Sequence, residues 1–191
     1  YLKMHKEDRT EVLCRLLDIH NPKRAVIFCN TKKGVDQLVE ELQARGYFAD
    51  ALHGDLKQGA RDMVMGKLRN GTIDILVATD IAARGIDVDD IEAVFNYELP
   101  QDDEYYVHRI GRTGRAGRSG VAFNFVYGRH MQKLREIERY TKAKMIEQKV
   151  PTMKDMTKAK VNYMFDDIIE VIEKDDLSQY SSYINKLTDQ G

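Results

Sequence analysis

Ala25-Val26-Ile27-Phe28-Cys29-Asn30-Thr31 opens the segment that decides the fold. Five apolar residues in a row read as a strand buried on both faces, because a half-exposed strand would alternate. Thr31 has the chemistry of a helix N-cap. Val35, Leu38, Val39 and Leu42 recur behind it at helical spacing, and Gly46 stands where a helix would close. A buried strand followed at once by an amphipathic helix is half of a strand–helix–strand unit.

The same alternation repeats outward from this segment. Upstream, Val12, Leu13, Leu16 and Leu17 mark a helix that Asn21-Pro22 ends. Downstream, strands are expected at Tyr47 to Leu52, Ile73 to Ala78, Ala93 to Asn96 and Val121 to Val126. Between them lie a helix through Leu68, a short one ending at Gly85, and one from Asp102 to Ile110. Another follows from Arg129 to Thr141. Asp55 and Gln58 have the spacing of a capping box at the start of the first of these. The fold class is therefore α/β: a parallel sheet sandwiched by helices. Ligands of such folds bind beyond the carboxyl ends of the strands. That edge would carry Asn30-Thr31-Lys32, His53-Gly54-Asp55, Thr79-Asp80 and the region feeding Arg112.

Composition sets the bounds. The chain has 191 residues, is 42% apolar and 32% charged, and carries a net charge of −1. That describes a soluble surface without an overall polyanion-binding field, so any nucleic-acid contact must come from a local patch. No apolar run approaches the roughly 18 residues of a membrane span, and no signal peptide is visible. A cytoplasmic protein, without membrane contact, is expected. Cys14 and Cys29 sit apart in apolar stretches and read as buried reduced thiols. The chain begins at a non-Met residue in mid-pattern, as a piece of a longer protein would. Pro151 marks a change of character, because residues 150–191 carry five lysines against eight acidic residues. Residues 1–149 are expected to form one domain and residues 150–191 an all-α extension. Its stripe is Val161, Phe165, Ile168 and Ile172, continued by Tyr180, Tyr183 and Leu187, with two helices joined near Asp175-Asp176.

The chemistry concentrates in His108-Arg109-Ile110-Gly111-Arg112-Thr113-Gly114-Arg115-Ala116-Gly117-Arg118. Three glycines each cost roughly 1 kcal/mol against alanine inside a helix, so the run is a loop. Its regular arginines suit phosphate, which a guanidinium grips with a planar fork. Yet no Gly-x-x-x-x-Gly-Lys-Ser/Thr loop occurs anywhere in the chain. Arginines aimed at phosphate without a P-loop suggest fingers donated to a nucleotide that another domain holds. The plainer reading of Arg112 and Arg115 is a pair of surface salt bridges.

At these residues the chain resembles the second RecA-like domain of a DEAD-box ATP-dependent RNA helicase of bacterial type. The matching segments are Val26 to Lys32, His53-Gly54-Asp55 with Gln58-Gly59-Ala60-Arg61, Ala78 to Asp87, and His108 to Arg115, in family order. The resemblance covers residues 1–149. It implies that Arg112 and Arg115 reach the γ-phosphate of ATP. That ATP, with its Mg2+, would be held by an N-terminal RecA-like domain of the same protein. His108 would link the site to that domain's acidic motif. Gly85 would let the backbone approach the nucleotide, and Asp87 would accept from a ribose hydroxyl. RNA would be gripped along its backbone by Thr31, Gly54, Arg61, Thr79 and Arg84, blind to base identity. Arg109 would brace the loop or pair with an acid. Tyr105 and Tyr106 read as packing residues, Arg118 falls outside the matched motif, and no metal ligands are assigned to this chain. The extension is similar to helical segments that mediate dimerisation in some bacterial DEAD-box proteins, making 150–191 a candidate homodimer segment. Two other readings stay open: a non-catalytic RNA-binding or dimerisation module, and a DNA helicase or translocase of the same superfamily.

Overall fold

The computed structural model describes residues 1–84, 91–115, 117 and 119–174. Six strands form one sheet: β1 (Leu2–Lys3), β2 (Ala25–Phe28), β3 (Ala49–Leu52), β4 (Ile75–Ala78), β5 (Ala93–Asn96) and β6 (Val121–Val126). Their order is β1-β6-β5-β2-β4-β3, and every pairing is parallel. The helices are α1 (Arg9–His20), α2 (Lys32–Ala44), α3 (Gln58–Arg69), α4 (Asp80–Ala83), α5 (Asp103–Ile110), α6 (His130–Thr141) and α7 (Met153–Lys174). This is the RecA-like architecture, with helices on both faces.

The apolar run that predicted β2 serves both faces. Ala25, Ile27 and Cys29 join α1 and α2 in one core cluster, through Leu13, Leu16, Val35 and Leu42. Val26 and Phe28 point the other way, to Val64, Met65 and Leu68 of α3. Each fully buried Leu or Phe contributes about 1.5–3 kcal/mol, so continuous strands of this kind anchor the sheet centre. Thr31 caps α2 as its position predicts: its hydroxyl accepts from the Gly34 amide at 3.1 Å. Asn21 ends α1 in the left-handed region, at φ 39°. Cys14 and Cys29 are both buried and free.

Two elements differ from the sequence expectation. The sheet has a sixth strand, β1, whose Leu2 and Lys3 pair with Phe125 and Val126. Two residues are too few to show periodicity. The capping box at α3 does not form. Asp55 instead pairs with Lys32, Gln58 Nε2 donates to Asp62 at 2.8 Å, and the helix starts after Lys57 without a side-chain cap.

The chain divides into two compact units, Tyr1–Pro151 and Thr152–Gly191. In the second, α7 begins at a reciprocal cap, in which Thr152 and Asp155 exchange backbone and side-chain hydrogen bonds. Val161, Phe165, Ile168 and Ile172 of its stripe are about half exposed, Phe165 at 55%. The expected junction at Asp175-Asp176 and Tyr180, Tyr183 and Leu187 lie outside the described residues.

Candidate nucleotide and nucleic-acid interface

The carboxyl edge of the sheet gathers the loops that the sequence singled out. Because β2, β4 and β3 are neighbours, Thr31, Thr79 and Gly54, which follow them, stand side by side. The Thr31 hydroxyl is engaged in its cap. Thr79 occupies the N-cap position of α4 without a side-chain cap bond, while its amide donates to Leu52 O at 3.2 Å. Gly54 is exposed beside the Lys32 side chain. Arg61, on α3, spends one end of its guanidinium on the α4 terminus: Nη2 donates to Ala82 O at 2.5 Å and to Arg84 O at 3.3 Å. It thereby fixes the backbone of Arg84, whose own side chain is exposed.

Arg109 is the knot of this edge. It is 1% exposed and ion-paired to Asp80 through two parallel bonds, Nε to Oδ1 at 2.5 Å and Nη2 to Oδ2 at 2.7 Å. Nη1 donates to Asn96 Oδ1 at 3.1 Å and to Glu98 O at 2.6 Å, and Nη2 also donates to Asn30 Oδ1 at 2.9 Å. The guanidinium lies 4.9 Å from the centre of the Phe28 ring. All five of its N–H donors thus have acceptors, which is what a buried charge requires. The sequence anticipated an acidic partner and missed which one. It also missed Asn30, Asn96 and Glu98. One signal was available: Asn96 and Asn124 are polar residues inside apolar strands. The sheet register sets them opposite each other, with Asn96 Nδ2 donating to Asn124 Oδ1 at 2.8 Å.

Beyond α5 the loop crosses to the other end of the sheet. Thr113 forms a bridge with Ile91, and its hydroxyl donates to Ile91 O at 2.5 Å. Arg112 and Arg115 therefore lie beside the amino end of β5, lining a recess of about 840 Å³ with Lys23, Arg24, Asp74 and Glu92. Arg112 also lines a smaller recess of about 320 Å³ with Asp80, Tyr105, His108 and Arg109. Arg115 and the far end of the finger loop thus lie away from the Thr31–Thr79–Gly54 edge, while Arg112 lines a recess on each side. Nε of Arg112 donates to His108 O at 3.2 Å and Nε of Arg115 to Gly111 O at 2.8 Å. Burial, with the like charge of Arg115 beside it, lowers the pKa of Arg112. His108 is exposed, 3.4 Å from Glu104 one turn earlier on α5. Tyr106 is buried and its hydroxyl accepts from Asn124 at 3.2 Å, a packing role. Gly85, Asp87 and Arg118 lie outside the described residues. Among the described residues no group of three His, Cys, Asp or Glu side chains is arranged to hold a metal ion, and no helix is long and apolar enough to cross a membrane.

A parallel RecA-like sheet whose helix α5 leads into an arginine–glycine loop has the features of a helicase domain. Residues 8–117 match the family described as helicase conserved C-terminal domain, and the chain belongs to that family. Within it, the likeness is to the C-terminal domains of DEAD-box proteins. The DEAD-box ATP-dependent RNA helicase CshA of Geobacillus kaustophilus is 45% identical over 190 residues, which is all of this chain and 41% of that protein. The chain thus spans about two fifths of that relative's length. The E. coli DEAD-box protein SrmB, solved bound to regulator of ribonuclease activity A, superposes with a TM-score of 0.72 at 34% identity. The match covers 82% of this chain and 91% of that one. Dbp5 of S. cerevisiae, solved bound to RNA and ADP BeF3, gives 0.73 at 34% identity over 85% of this chain and 44% of its own.

Proposed function

We propose that this chain is the second motor domain of an ATP-dependent RNA helicase. In this reading it supplies arginine fingers to ATP held by an N-terminal RecA-like domain of the same protein, together with half of the RNA-backbone surface. The observation that carries the reading is the pairing of Arg112 and Arg115 on a loop anchored by Arg109 before it and by Thr113 on Ile91 within it. Two guanidiniums that line one recess can together engage a phosphate. Fingers of this kind are worth about 10³–10⁵ in rate where charge develops on a transferred phosphoryl group.

ATP with Mg2+, when bound, supplies the phosphoryl group that passes to water; the metal's ligands belong to the other domain. Arg112 and Arg115 neutralise the phosphate, His108 links the site to the acidic motif of the partner domain, Gly85 lets the backbone approach the nucleotide, and Asp87 accepts from a ribose hydroxyl. Thr31, Gly54, Arg61, Thr79 and Arg84 hold the RNA backbone, through hydroxyls, amides and guanidinium groups that do not read bases. The likeness to a protein solved with RNA and ADP BeF3 supports this reading. A cytoplasmic location fits this reading and the two buried free thiols, Cys14 and Cys29.

In the full-length protein, Arg115→Ala is expected to abolish RNA-stimulated ATP hydrolysis while leaving RNA affinity within about threefold. Hydrolysis retained with RNA affinity lost would favour a non-catalytic RNA-binding module. Residues 1–191 alone are expected to show negligible ATPase, since the chain contains no P-loop. The half-exposed stripe Val161, Phe165, Ile168 and Ile172 favours a second role, homodimerisation through 150–191. The spacing of four, three and four residues is that of a coiled-coil seam. Light scattering with and without these residues tests it: a mass changed only by the deleted segment would remove the dimer.

A further inference from the structure

A second recess opens on the same carboxyl edge, on the side of Thr31 away from Thr79 and Gly54. Its volume is about 250 Å³, and Lys6, Thr31, Lys33, Gln37, Glu41 and Glu98 line it. It lies between the start of α2 and the turn Lys6–Asp8 that leads into α1. Glu98 is already committed: its carboxylate accepts from the Asn30 amide at 2.8 Å and pairs with Arg9 at 3.4 Å. Arg9 in turn is held over the rings of Tyr97 and Tyr127. The side chains of Lys6, Lys33, Gln37 and Glu41 are different. None makes a hydrogen bond or ion pair with another described residue, although acceptors and donors stand within the same recess. Two lysines, one glutamine and one glutamate thus border a single opening without a partner among the described residues.

From this arrangement we propose that the recess takes one further nucleotide of the RNA strand, continuing the track beyond Thr31. The inference rests on the RNA-backbone reading of Thr31, Gly54 and Thr79. The order β5-β2-β4-β3 sets this recess, Thr31, Thr79 and Gly54 in one line, at roughly 4.8 Å per strand. The chemistry of the four side chains matches the parts of a ribonucleotide. Lys6 and Lys33 face its phosphate. Gln37 offers a donor and an acceptor, and Glu41 an acceptor, to the ribose 2′-hydroxyl or a base edge, the groups that distinguish RNA from a bare polyanion.

The test uses the full-length protein and single-stranded RNA shortened one nucleotide at a time from each end. In the wild-type protein, removing the nucleotide over the recess is expected to weaken binding about two- to fivefold, the range of one exposed charged contact. In Lys6→Ala/Gln37→Ala, which leaves Lys33 in place, the difference between the longer and shorter RNAs should shrink to below about twofold, with affinity for the shorter one unchanged. The slope of log affinity against log salt should fall by about 0.7 for the lost phosphate contact. Both residues are exposed, so the variant is expected to fold, and an unchanged melting temperature checks this. Equal weakening of long and short RNA, or no step in the wild-type series, overturns the proposal while leaving the core RNA reading intact. Failure of the wild-type protein to bind any RNA would overturn that reading itself.

Discussion

Replacing Arg109 with alanine should unfold the domain more readily than any other single surface-to-core change near the site. The guanidinium is 1% exposed and satisfies Asp80, Asn96, Asn30 and the Glu98 carbonyl at once. Its loss leaves a partly buried carboxylate and three further acceptors without a donor. Removing one partner of a buried ion pair costs about 3–5 kcal/mol, set against a total stability of about 5–15 kcal/mol. For a chain of this size the melting temperature should fall by roughly 6–20 °C. Arg109→Lys keeps the charge but loses the parallel fork to Asp80, so it should fall between wild type and alanine. Urea unfolding at pH 7, followed by circular dichroism, gives the free energies by linear extrapolation. Asp80→Asn alone and combined with Arg109→Ala closes the cycle, and the double variant should be more stable than the sum of the singles by at least about 1 kcal/mol. A loss below about 1 kcal/mol for Arg109→Ala would show that the network is solvated and replaceable, and the account of the site's rigidity would fall with it.

Gly120→Ala should disturb the finger loop specifically. A Cβ there would overlap Thr113 Oγ1 and stand 2.5 Å from the Gly114 amide nitrogen. Such overpacking costs typically about 1–3 kcal/mol, and full-length ATPase should fall with RNA affinity retained; an unchanged turnover would show that the loop shifts freely. Stability should also decline in alkali. Burial pushes the Cys29 thiol up from its ordinary 9.0 to about 12, and burial raises Cys14, Tyr47 and Tyr97 as well. Because the folded values lie above the unfolded ones, the neutral forms stabilise the native state fully below about pH 9. That contribution is lost as pH rises from 9 toward 12. Urea midpoints at pH 7, 9 and 10.5 should fall in that order, less steeply for Cys29→Ala; a flat series would contradict the burial of these groups.

The legible and illegible parts of the sequence differ by the distance over which their causes act. β2, β4 and β5 could be read because central strands of a parallel sheet are buried on both faces, and a run such as Ala25 to Cys29 has no other economical use. Thr31 could be read because an N-cap is settled within three residues. β1 could not, since Leu2 and Lys3 become a strand only when Phe125 and Val126 lie beside them. The Asp55–Gln58 box failed for the same reason in reverse. A good local pairing lost to a tertiary one, Asp55 with Lys32 from the neighbouring strand–helix unit. For the site, the sequence identified the arginines and their order. It could not show that Arg109 turns inward while Arg112 and Arg115 stay at the surface, because the spacing of three is identical for all of them. Only the position of Asp80, Asn30 and Asn96 on adjacent strand ends decides it.

That division of labour among the arginines makes the two halves of the site one body. Asn30 immediately precedes Thr31, and Asp80 immediately follows Thr79, so the two threonines proposed to hold RNA are each one residue from a ligand of Arg109. Arg109 in turn stands on α5 less than one helical turn before Arg112. A backbone shift at either threonine must therefore stretch a bond to a guanidinium whose five donors are all in use, and a satisfied planar group has no spare geometry with which to absorb it. The strain passes instead to α5 and to the loop that Thr113 pins on Ile91. A solvated arginine at this position would exchange a lost partner for water, and the two places would move independently. If RNA is held at the carboxyl edge as proposed, burial of Arg109, rather than the proximity of the two places, would let an event there register at the amino end of β5.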